Sequence, residues 1–251
     1  DRFRLDGKVA LITGGGRGLG RAMAIAFAEA GADIAISARH QDQLAETARA
    51  IAGHGRRVHM LAADMTSPTT AEELLNGCVA ELGDLNILVN NAGGAMGHPV
   101  RPLMETEEAA WSDQISLNLS SYWRMTKVAA GKMRSGDCVL NISSITAIHP
   151  YGTSGPYAAA KAAVNNMTKA FSKELAPDIR VNGIAPGPIP TEGFRAARNV
   201  SEKDYDRVAA EWGVPLARLG TPEDVAAAAL YLASPAAAWM TGETLVLAGG
   251  M

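Results

Sequence analysis

Short apolar runs alternate with helix-like segments along the whole chain, and this alternation restricts the folds that the chain can adopt. Runs of this length, bounded by turn residues, are typical of buried strands. Because a helix returns the chain to the same edge of a sheet, the alternation predicts parallel strands. We therefore predict a single doubly wound α/β domain over residues 1–251, with a seven-stranded parallel sheet and helices on both faces. The predicted strands are 9–12, 34–36, 58–62, 87–89, 139–142, 180–184 and 243–247.

The composition argues against several other classes of protein. Hydrophobic residues make up 47% and charged residues 20% of the chain, as is usual for a globular protein with a large core. The net charge of −3, without a basic cluster, argues against a nucleic-acid partner. The apolar run before Ser234-Pro235 is too short to cross a bilayer, so we predict no membrane partner. Cys78 and Cys138 form no C-x-x-C pair and no apolar signal segment opens the sequence, which favours a cytoplasmic location.

A glycine-rich turn follows the first predicted strand and precedes an Ala-rich helix. Such a turn lets the backbone approach a phosphate, and the helix then presents free N–H groups to it. The spacing Gly14-x-x-x-Gly18-x-Gly20 is longer than the usual dinucleotide fingerprint, whose third glycine would fall at Leu19. A tight turn without a ligand is the alternative. We predict that the turn binds a dinucleotide through Gly14, Gly16, Arg17, Gly18 and Leu19.

The end of the second predicted strand bears on the choice of cofactor. A site for NAD(H) favours an acidic residue here, about 20 residues past the glycines, to bind the ribose 2′-hydroxyl. Ala38 and Arg39 occupy that place, and Asp33 lies at the opposite end of the strand. Arg39 and Arg17 could hold a 2′-phosphate through charge-assisted hydrogen bonds. We therefore predict a preference for NADP(H), with two solvated arginines and NAD(H) as the alternative.

Two further loops follow predicted strands. Asp64 and Met65 come after the third strand, and Asp64 could either contact the adenine amine or only stabilise the turn. Asn91, Ala92 and Gly93 follow the fourth strand, and their small side chains allow close approach of a ligand. The carboxyl ends of parallel strands are where doubly wound sheets bind ligands, so we expect these loops to share one site.

Tyr157 and Lys161 lie four residues apart in a predicted helix, which places them on one face. An ammonium beside a phenol favours the phenolate, so we expect the pKa of Tyr157 to fall below its usual value of about 10. A tyrosine tuned in this way is a general acid or base, and the Ser144 hydroxyl could bind the oxygen of a carbonyl or alcohol substrate. The alternative is an ordinary surface pair. Asn118 lies in a long predicted helix, about 107–133, where an Asn is usually solvated or capping.

The segment 191–213 is polar and charged, and we predict that it forms one or two mobile helices in a lid, about 188–213, that excludes water. Ser67-Pro68 predicts the start of one helix, and Pro222 the start of the last. The five histidines match no metal-binding pattern, so we predict no catalytic metal.

Together these motifs resemble the short-chain dehydrogenase/reductase family, whose fold is Rossmann-like, and the resemblance covers nearly the whole chain. Thr13-Gly14-x-x-x-Gly18-x-Gly20 matches the cofactor loop of the family, and Asn90-Asn91-Ala92-Gly93 matches its N-N-A-G segment. The resemblance implies a catalytic tetrad and a P-G motif that holds the nicotinamide amide. The tetrad would consist of Asn118, Ser144, Tyr157 and Lys161, and the P-G motif of Pro186, Gly187, Ile189 and Thr191.

The resemblance also implies a mechanism. Tyr157 would exchange a proton with the substrate oxygen while NADP(H) exchanges a hydride with the carbon. Lys161 would lower the pKa of Tyr157 and bind the nicotinamide ribose, and Ser144 would position the carbonyl. Asn118 would hold a water that links Lys161 to solvent. Family members are commonly tetramers through their last two long helices, so a homo-oligomer, a tetramer by resemblance, is expected.

The substrate remains open between several classes. Residues 187–193 resemble reductases that act on acyl thioesters. The run 180–187 is similar both to 3-oxoacyl-carrier-protein reductases and to bacterial hydroxysteroid dehydrogenases. A small-molecule carbonyl or alcohol is therefore expected: an acyl thioester, a steroid ketone, or a small cyclic or sugar-like alcohol. The alternatives are a hydroxysteroid or other alcohol dehydrogenase that uses NAD, a dienoyl- or enoyl-reductase, and a non-catalytic NADP(H) sensor. The C-terminal residues Leu247 and Ala248 stand where the family often has V-D, and this departure bears on a subunit or C-terminal contact and not on the chemistry.

Overall fold

Seven parallel strands form one sheet in the computed structural model, which describes residues 1–99 and 101–251. Their order across the sheet is β3-β2-β1-β4-β5-β6-β7, so the predicted fold class and all seven predicted strands are confirmed. The strands are β1 Val9–Thr13, β2 Asp33–Ala38, β3 Val58–Ala62, β4 Ile87–Asn90, β5 Asp137–Ile142, β6 Ile179–Pro186 and β7 Thr244–Leu247.

Strand β1 lies inside the sheet, between β2 and β4, and is buried along its whole length. Leu11 pairs with Ala35 of β2 on one side and with Leu88 of β4 on the other. Successive side chains of a strand point to opposite faces of the sheet, so Ile12 and Leu11 pack into two different cores. This strand direction brings the carboxyl ends of β1, β2, β4 and β5 to a common edge.

Helices cover both faces of the sheet. The helices are α1 Gly18–Glu29, α2 Gln41–Gly53, α3 Thr70–Leu82, α4 Glu108–Ile115, α5 Ser121–Ala130, α6 Gly155–Leu175, α7 Glu192–Arg198, α8 Tyr205–Glu211 and α9 Pro222–Ala233. One core contains α1, α2 and α9, and the other contains α3 and α5 with α6 packed against it. None of these helices is both long and apolar enough to span a membrane, within the part of the chain that the structure describes.

Two helix starts show how local chemistry sets the boundaries. Helix α9 begins at the predicted Pro222, and Thr221 and Asp224 bind each other's backbone N–H groups in a capping box. The prediction for Ser67-Pro68 is wrong, because α3 begins at Thr70. The carboxylate of Asp64 accepts hydrogen bonds from both the backbone and the hydroxyl of Thr66, which holds this segment in a turn.

The long helix predicted for 107–133 is present with one local change. Between α4 and α5 the backbone widens into a π-helical turn, Ser116–Ser120, which contains Asn118. Single π-turns within helices often occur at functional sites.

The predicted lid contains two short helices, α7 and α8. Val208 and Ala209 of α8 form a small core with Val214 and Leu219, which follow the predicted lid. The Thr191 hydroxyl caps α7 by accepting a hydrogen bond from the N–H of Phe194. Asn199 ends this helix with a φ of +50°, which an Asn tolerates better than most side chains. The mobility of the lid remains a prediction.

Candidate active site

A cavity of about 500 Å³ lies along the carboxyl edge of the sheet. Its wall contains Ser144 and all the residues predicted to bind the cofactor. These are Gly14, Gly16, Arg17, Gly18, Leu19, Arg39, Asp64, Met65, Asn91, Ala92, Gly93, Tyr157, Lys161, Pro186, Gly187, Ile189 and Thr191. A cavity of this size is in the usual range for small-molecule and cofactor sites.

The glycine turn brings an uncapped helix end to the wall of the cavity. Helix α1 starts at Gly18, and neither a capping side chain nor an acidic residue satisfies its first turn. The φ of Gly18 is +51°, and a Cβ on Gly20 would overlap the carbonyl oxygen of Gly14. The helix can therefore begin directly behind the turn, where its N–H groups and its positive dipole end favour an anion.

Thr13 and Asn91 join the glycine turn to the loop after β4. The Thr13 hydroxyl accepts hydrogen bonds from the backbone of Asn91 at 3.0 Å and of Ala92 at 3.1 Å. The Asn91 amide donates to the carbonyls of Thr13 at 2.9 Å and of Gly14 at 3.2 Å. The sequence predicts Asn91 only as a residue near a ligand. Its hydrogen bonds to the glycine turn join segments that are more than 70 residues apart, so local patterns do not reveal them.

The charges at one end of the cavity agree with the sequence-based argument. Arg17 and Arg39 are exposed and line the wall, and Ala38 lies beside Arg39. Asp33 is buried at the far end of β2, where Arg56 and Arg57 bind it at 2.8 and 2.7 Å. Its carboxylate is therefore not available to a ribose in the cavity.

Asp64 also lines the cavity, and of its two predicted roles the structural one is observed. Hydrogen bonds from the backbone and hydroxyl of Thr66 lower the pKa of its carboxyl, with a further contribution from the charge of Arg39. Contact with an adenine amine remains a prediction.

Two buried serines follow β5, and both line the cavity, although their hydroxyls make different contacts. The Ser143 hydroxyl is buried and donates to the backbone carbonyl of Lys161 at 3.2 Å. Ser144 lines the cavity, where its oxygen accepts from the backbone and hydroxyl of Thr146 at 3.2 and 2.9 Å. The Ser143 hydroxyl already has an acceptor in the protein, and the role of Ser144 at a substrate oxygen remains a prediction.

Lys161 is almost completely buried, with 2% of its surface exposed. Its Nζ donates to the Tyr122 hydroxyl and to the backbone carbonyl of Ile142, both at 2.8 Å. Nζ also lies 5.7 Å from the centre of the Tyr157 ring. Burial lowers the pKa of Lys161 to about 7, because removal from water disfavours the charged form.

Tyr157 differs from the sequence-based expectation. Burial raises the pKa of its phenol, and the neighbouring Ser144 hydroxyl offsets this only in part. The expected lowering by Lys161 is not observed in this structure, because the ammonium hydrogen-bonds to Tyr122 and Ile142 instead. Desolvation therefore has the largest effect on the pKa of Tyr157, although the helical spacing had suggested that Lys161 would lower it.

Asn118 is fully buried, so the expectation of a solvated or capping residue is wrong. Its side-chain oxygen accepts from the Gly94 N–H at 2.8 Å, and its amide donates to the carbonyls of Gly94 at 3.0 Å and Gln114 at 2.9 Å. Asn118 does not line the cavity; it fixes the loop that does. The predicted water is not tested by these contacts.

Aromatic side chains form one wall of the cavity. The Trp212 ring lies 5.8 Å from both Tyr151 and Phe194, measured between ring centres, and the Arg198 guanidinium is 5.1 Å from it. All four residues line the cavity. The sequence predicted a lid here but not this cluster, since no periodic pattern links Tyr151 to the lid.

Within residues 1–99 and 101–251, no group of three or more His, Cys, Asp and Glu side chains could hold a metal ion. Cys78 and Cys138 are buried free thiols outside the cavity. Burial raises their pKa values to about 12 and about 11.

Known proteins resemble this chain over nearly its full length. Residues 14–251 match the profile of a family described as "Enoyl-(Acyl carrier protein) reductase". The 7alpha-hydroxysteroid dehydrogenase of Escherichia coli K12 is 36% identical, with 100% of this chain and 96% of that protein covered. The 3-oxoacyl-[acyl-carrier-protein] reductase of Vibrio cholerae is 37% identical, with 99% of each chain covered. A solved 7alpha-hydroxysteroid dehydrogenase, complexed with NADH and 7-oxo glycochenodeoxycholic acid, superimposes with a TM-score of 0.92 at 35% identity, covering 99% of this chain and 96% of that one.

Proposed function

Because this chain belongs to the short-chain dehydrogenase/reductase family of oxidoreductases, we propose that it transfers a hydride between NADP(H) and a ketone or secondary alcohol. The main observation in support is that Ser144, Tyr157 and Lys161 line the same cavity as the uncapped end of α1. A proton donor and an anion site therefore share one enclosed space.

The cofactor would supply the hydride for the carbonyl carbon, and residues of this chain would bind and protonate the carbonyl oxygen. Tyr157 would donate its phenolic proton to the carbonyl oxygen during reduction and accept it during oxidation. The raised pKa of Tyr157 keeps the phenol protonated at neutral pH, as a proton donor requires. The Ser144 hydroxyl would hold the same oxygen, and Lys161 would bind the nicotinamide ribose and supply positive charge near the reacting groups.

The preference for NADP(H) rests on the charges around Ala38. Two exposed cations line the cavity, Arg17 in the glycine turn and Arg39 directly after Ala38. The Asp33 carboxylate is bound to Arg56 and Arg57. A 2′-phosphate would gain charge-assisted hydrogen bonds from such an arrangement. Use of NAD(H) is the alternative, and one solved relative contains NADH.

The aromatic wall supports a particular class of substrate. Tyr151, Phe194 and Trp212 offer flat apolar surface, which suits a cyclic or steroid-like ketone better than a sugar. The Arg198 guanidinium at the edge of this wall suits a substrate that carries an anionic group. A 3-oxoacyl thioester remains the second candidate, since one relative is an acyl-carrier-protein reductase.

Two other functions are weaker. A dienoyl- or enoyl-reductase agrees with the description of the matching family, but Ser144 and Tyr157 form a pair suited to carbonyl chemistry. A non-catalytic NADP(H) sensor would not require Tyr157 and Lys161 on the cavity wall.

The proposal is tested by the oxidation of NADPH and NADH in the presence of ring ketones, steroid ketones, an acetoacetyl thioester, an enoyl thioester and simple sugars. The Tyr157→Phe protein serves as the background. We expect turnover with NADPH and ring or steroid ketones. Turnover confined to the enoyl thioester would contradict the proposal. If NADPH binds but no substrate of the panel is turned over, the result would favour the NADP(H) sensor.

A further inference from the structure

We propose that the buried hydroxyl of Tyr122 is the positioning group for Lys161, holding its ammonium in the charged form and in the orientation needed at the cavity. The catalytic consequence rests on the proposed function. The contact itself can be tested without turnover. Tyr122 lies on α5, one helical turn after Asn118, and does not line the cavity.

Three polar groups form a closed triangle behind the cavity. Lys161 Nζ donates to the Tyr122 hydroxyl at 2.8 Å and to the Ile142 carbonyl at 2.8 Å. The Tyr122 hydroxyl donates its own proton to the same Ile142 carbonyl at 3.1 Å. This bond orients the phenolic oxygen so that its lone pairs face the ammonium. Two of the three N–H donors of Lys161 are then fixed, and the third remains for the cavity side.

The ring of Tyr122 adds to this interaction. Lys161 Nζ lies 4.4 Å from the centre of the ring, within the range of a cation–π contact. Tyr122 is itself 1% exposed, and burial raises its pKa, so the hydroxyl stays protonated and remains a donor to Ile142. The side chain therefore holds one geometry over the pH range in which Lys161 titrates.

The surroundings explain why Lys161 depends on this hydroxyl. Tyr122 faces it from α5 and Tyr157 from α6, and both are neutral phenols near neutral pH. Strand β5 contributes a backbone carbonyl, and the loop after β4 places Gly93 next to Nζ. Burial lowers the pKa of Lys161, and within the described chain no carboxylate offsets this effect. In such a site, each hydrogen-bond acceptor for the ammonium strongly stabilises the charged form of Lys161 over the neutral amine.

Loss of the hydroxyl should lower the pKa of Lys161 further. A hydrogen bond to a charged group that is removed from a buried site changes the pKa by roughly one to two units. Since the pKa of Lys161 is already about 7, the neutral amine would then predominate at physiological pH. If catalysis needs the ammonium, activity in the variant would fall at a lower pH than in the wild-type protein, because Lys161 loses its proton earlier as the pH rises. The Ile142 carbonyl would keep Lys161 as a donor, so the substitution leaves no buried acceptor unpaired.

The test uses Tyr122→Phe, which removes only the hydroxyl, with Tyr231→Phe as the matched control on α9. Lysine labelled with ¹³C at Cε reports the titration of Lys161 by NMR, and Lys161→Met assigns its signal. The pH profile of kcat/KM for the best ketone is measured in parallel. We expect the titration of Lys161, and the alkaline limb of the profile, to move down by roughly one unit or more in Tyr122→Phe and to stay unchanged in Tyr231→Phe.

An unchanged Lys161 titration in folded Tyr122→Phe would overturn the inference, even if its activity fell. A shifted titration with no turnover by the wild-type protein would support the contact and count against the proposed function instead. Tyr122→Met, which also lacks the hydroxyl and adapts well to a core, is the second variant if the first does not fold.

Discussion

Tyr157 and Lys161 share one face of α6, and burial moves their pKa values in opposite directions. The phenol becomes a weaker acid and the ammonium a stronger one, with the pKa of Lys161 at about 7. The two pKa values therefore move apart, and the residues do not form a hydrogen-bonded pair in this structure. The raised pKa of the phenol keeps Tyr157 protonated at neutral pH, which suits its proposed role as a proton donor.

Replacing Tyr157 by Phe should abolish turnover and leave NADPH binding within a few-fold of wild type. The substitution removes the proton donor, and general acid catalysis typically contributes about 10²- to 10⁴-fold. The measurement is kcat for the best ketone together with the Kd of NADPH from its fluorescence. Turnover close to that of wild type would contradict the assignment of Tyr157 as general acid.

A second prediction at this scale concerns Arg39, which is exposed at the cavity wall. Arg39→Ala should weaken NADPH binding by about 10-fold or more, because a hydrogen bond between charged groups is lost. Adding Ala38→Asp should move the preference toward NADH, since a carboxylate repels the 2′-phosphate and can bind the 2′-hydroxyl. Arg49→Ala is the control, because Arg49 is exposed on α2 and donates to the Ala45 carbonyl away from the cavity. Equal losses for Arg39→Ala and Arg49→Ala would argue against the 2′-phosphate site.

At the scale of elements, the π-helical turn between α4 and α5 connects the helix layer to the cofactor loop. The wider turn brings the Asn118 amide to both backbone groups of Gly94 and to Gln114. The next turn of the same helix carries Tyr122, which binds Lys161. One helix therefore positions the loop after β4 and the lysine of α6 together.

Asn118→Ala should lower the free energy of unfolding by roughly 1–3 kcal/mol, because it leaves buried backbone groups without partners. It should also lower activity, since the loop of Gly93 and Gly94 loses its support. The measurements are urea denaturation and kcat/KM. Asn76→Ala on the exposed face of α3 is the control, and equal stability of the two variants would show that the Asn118 contacts contribute little.

At the scale of the whole molecule, several large apolar side chains lie on the surface. Trp239 is fully exposed, and Trp111, Trp123 and Val246 are also exposed. Exposed aromatic residues are enriched where proteins associate. This distribution supports the proposal of a homo-oligomer, which the family resemblance puts at a tetramer.

Light scattering after size exclusion should give a mass corresponding to four chains of 26.2 kDa. The mass should hold on dilution through the micromolar range, as expected when apolar surface is buried between subunits. A mass of one chain at micromolar concentration would refute the tetramer.

Local patterns in the sequence, together with the family resemblance, were sufficient to predict the positions of the strands, the glycine turn and part of the cavity wall. Buried strands and helix starts have short-range signatures, and parallel strands bring their carboxyl ends to one edge. Tertiary structure alone decided the contacts that set the chemistry of the site. Tyr122 lies 39 residues before Lys161, and the carboxylate of Asp33 is bound by two arginines more than 20 residues away. Desolvation and long-range contacts determine the pKa values and the packing of Asn118, and neither can be obtained from the spacing of residues in the sequence.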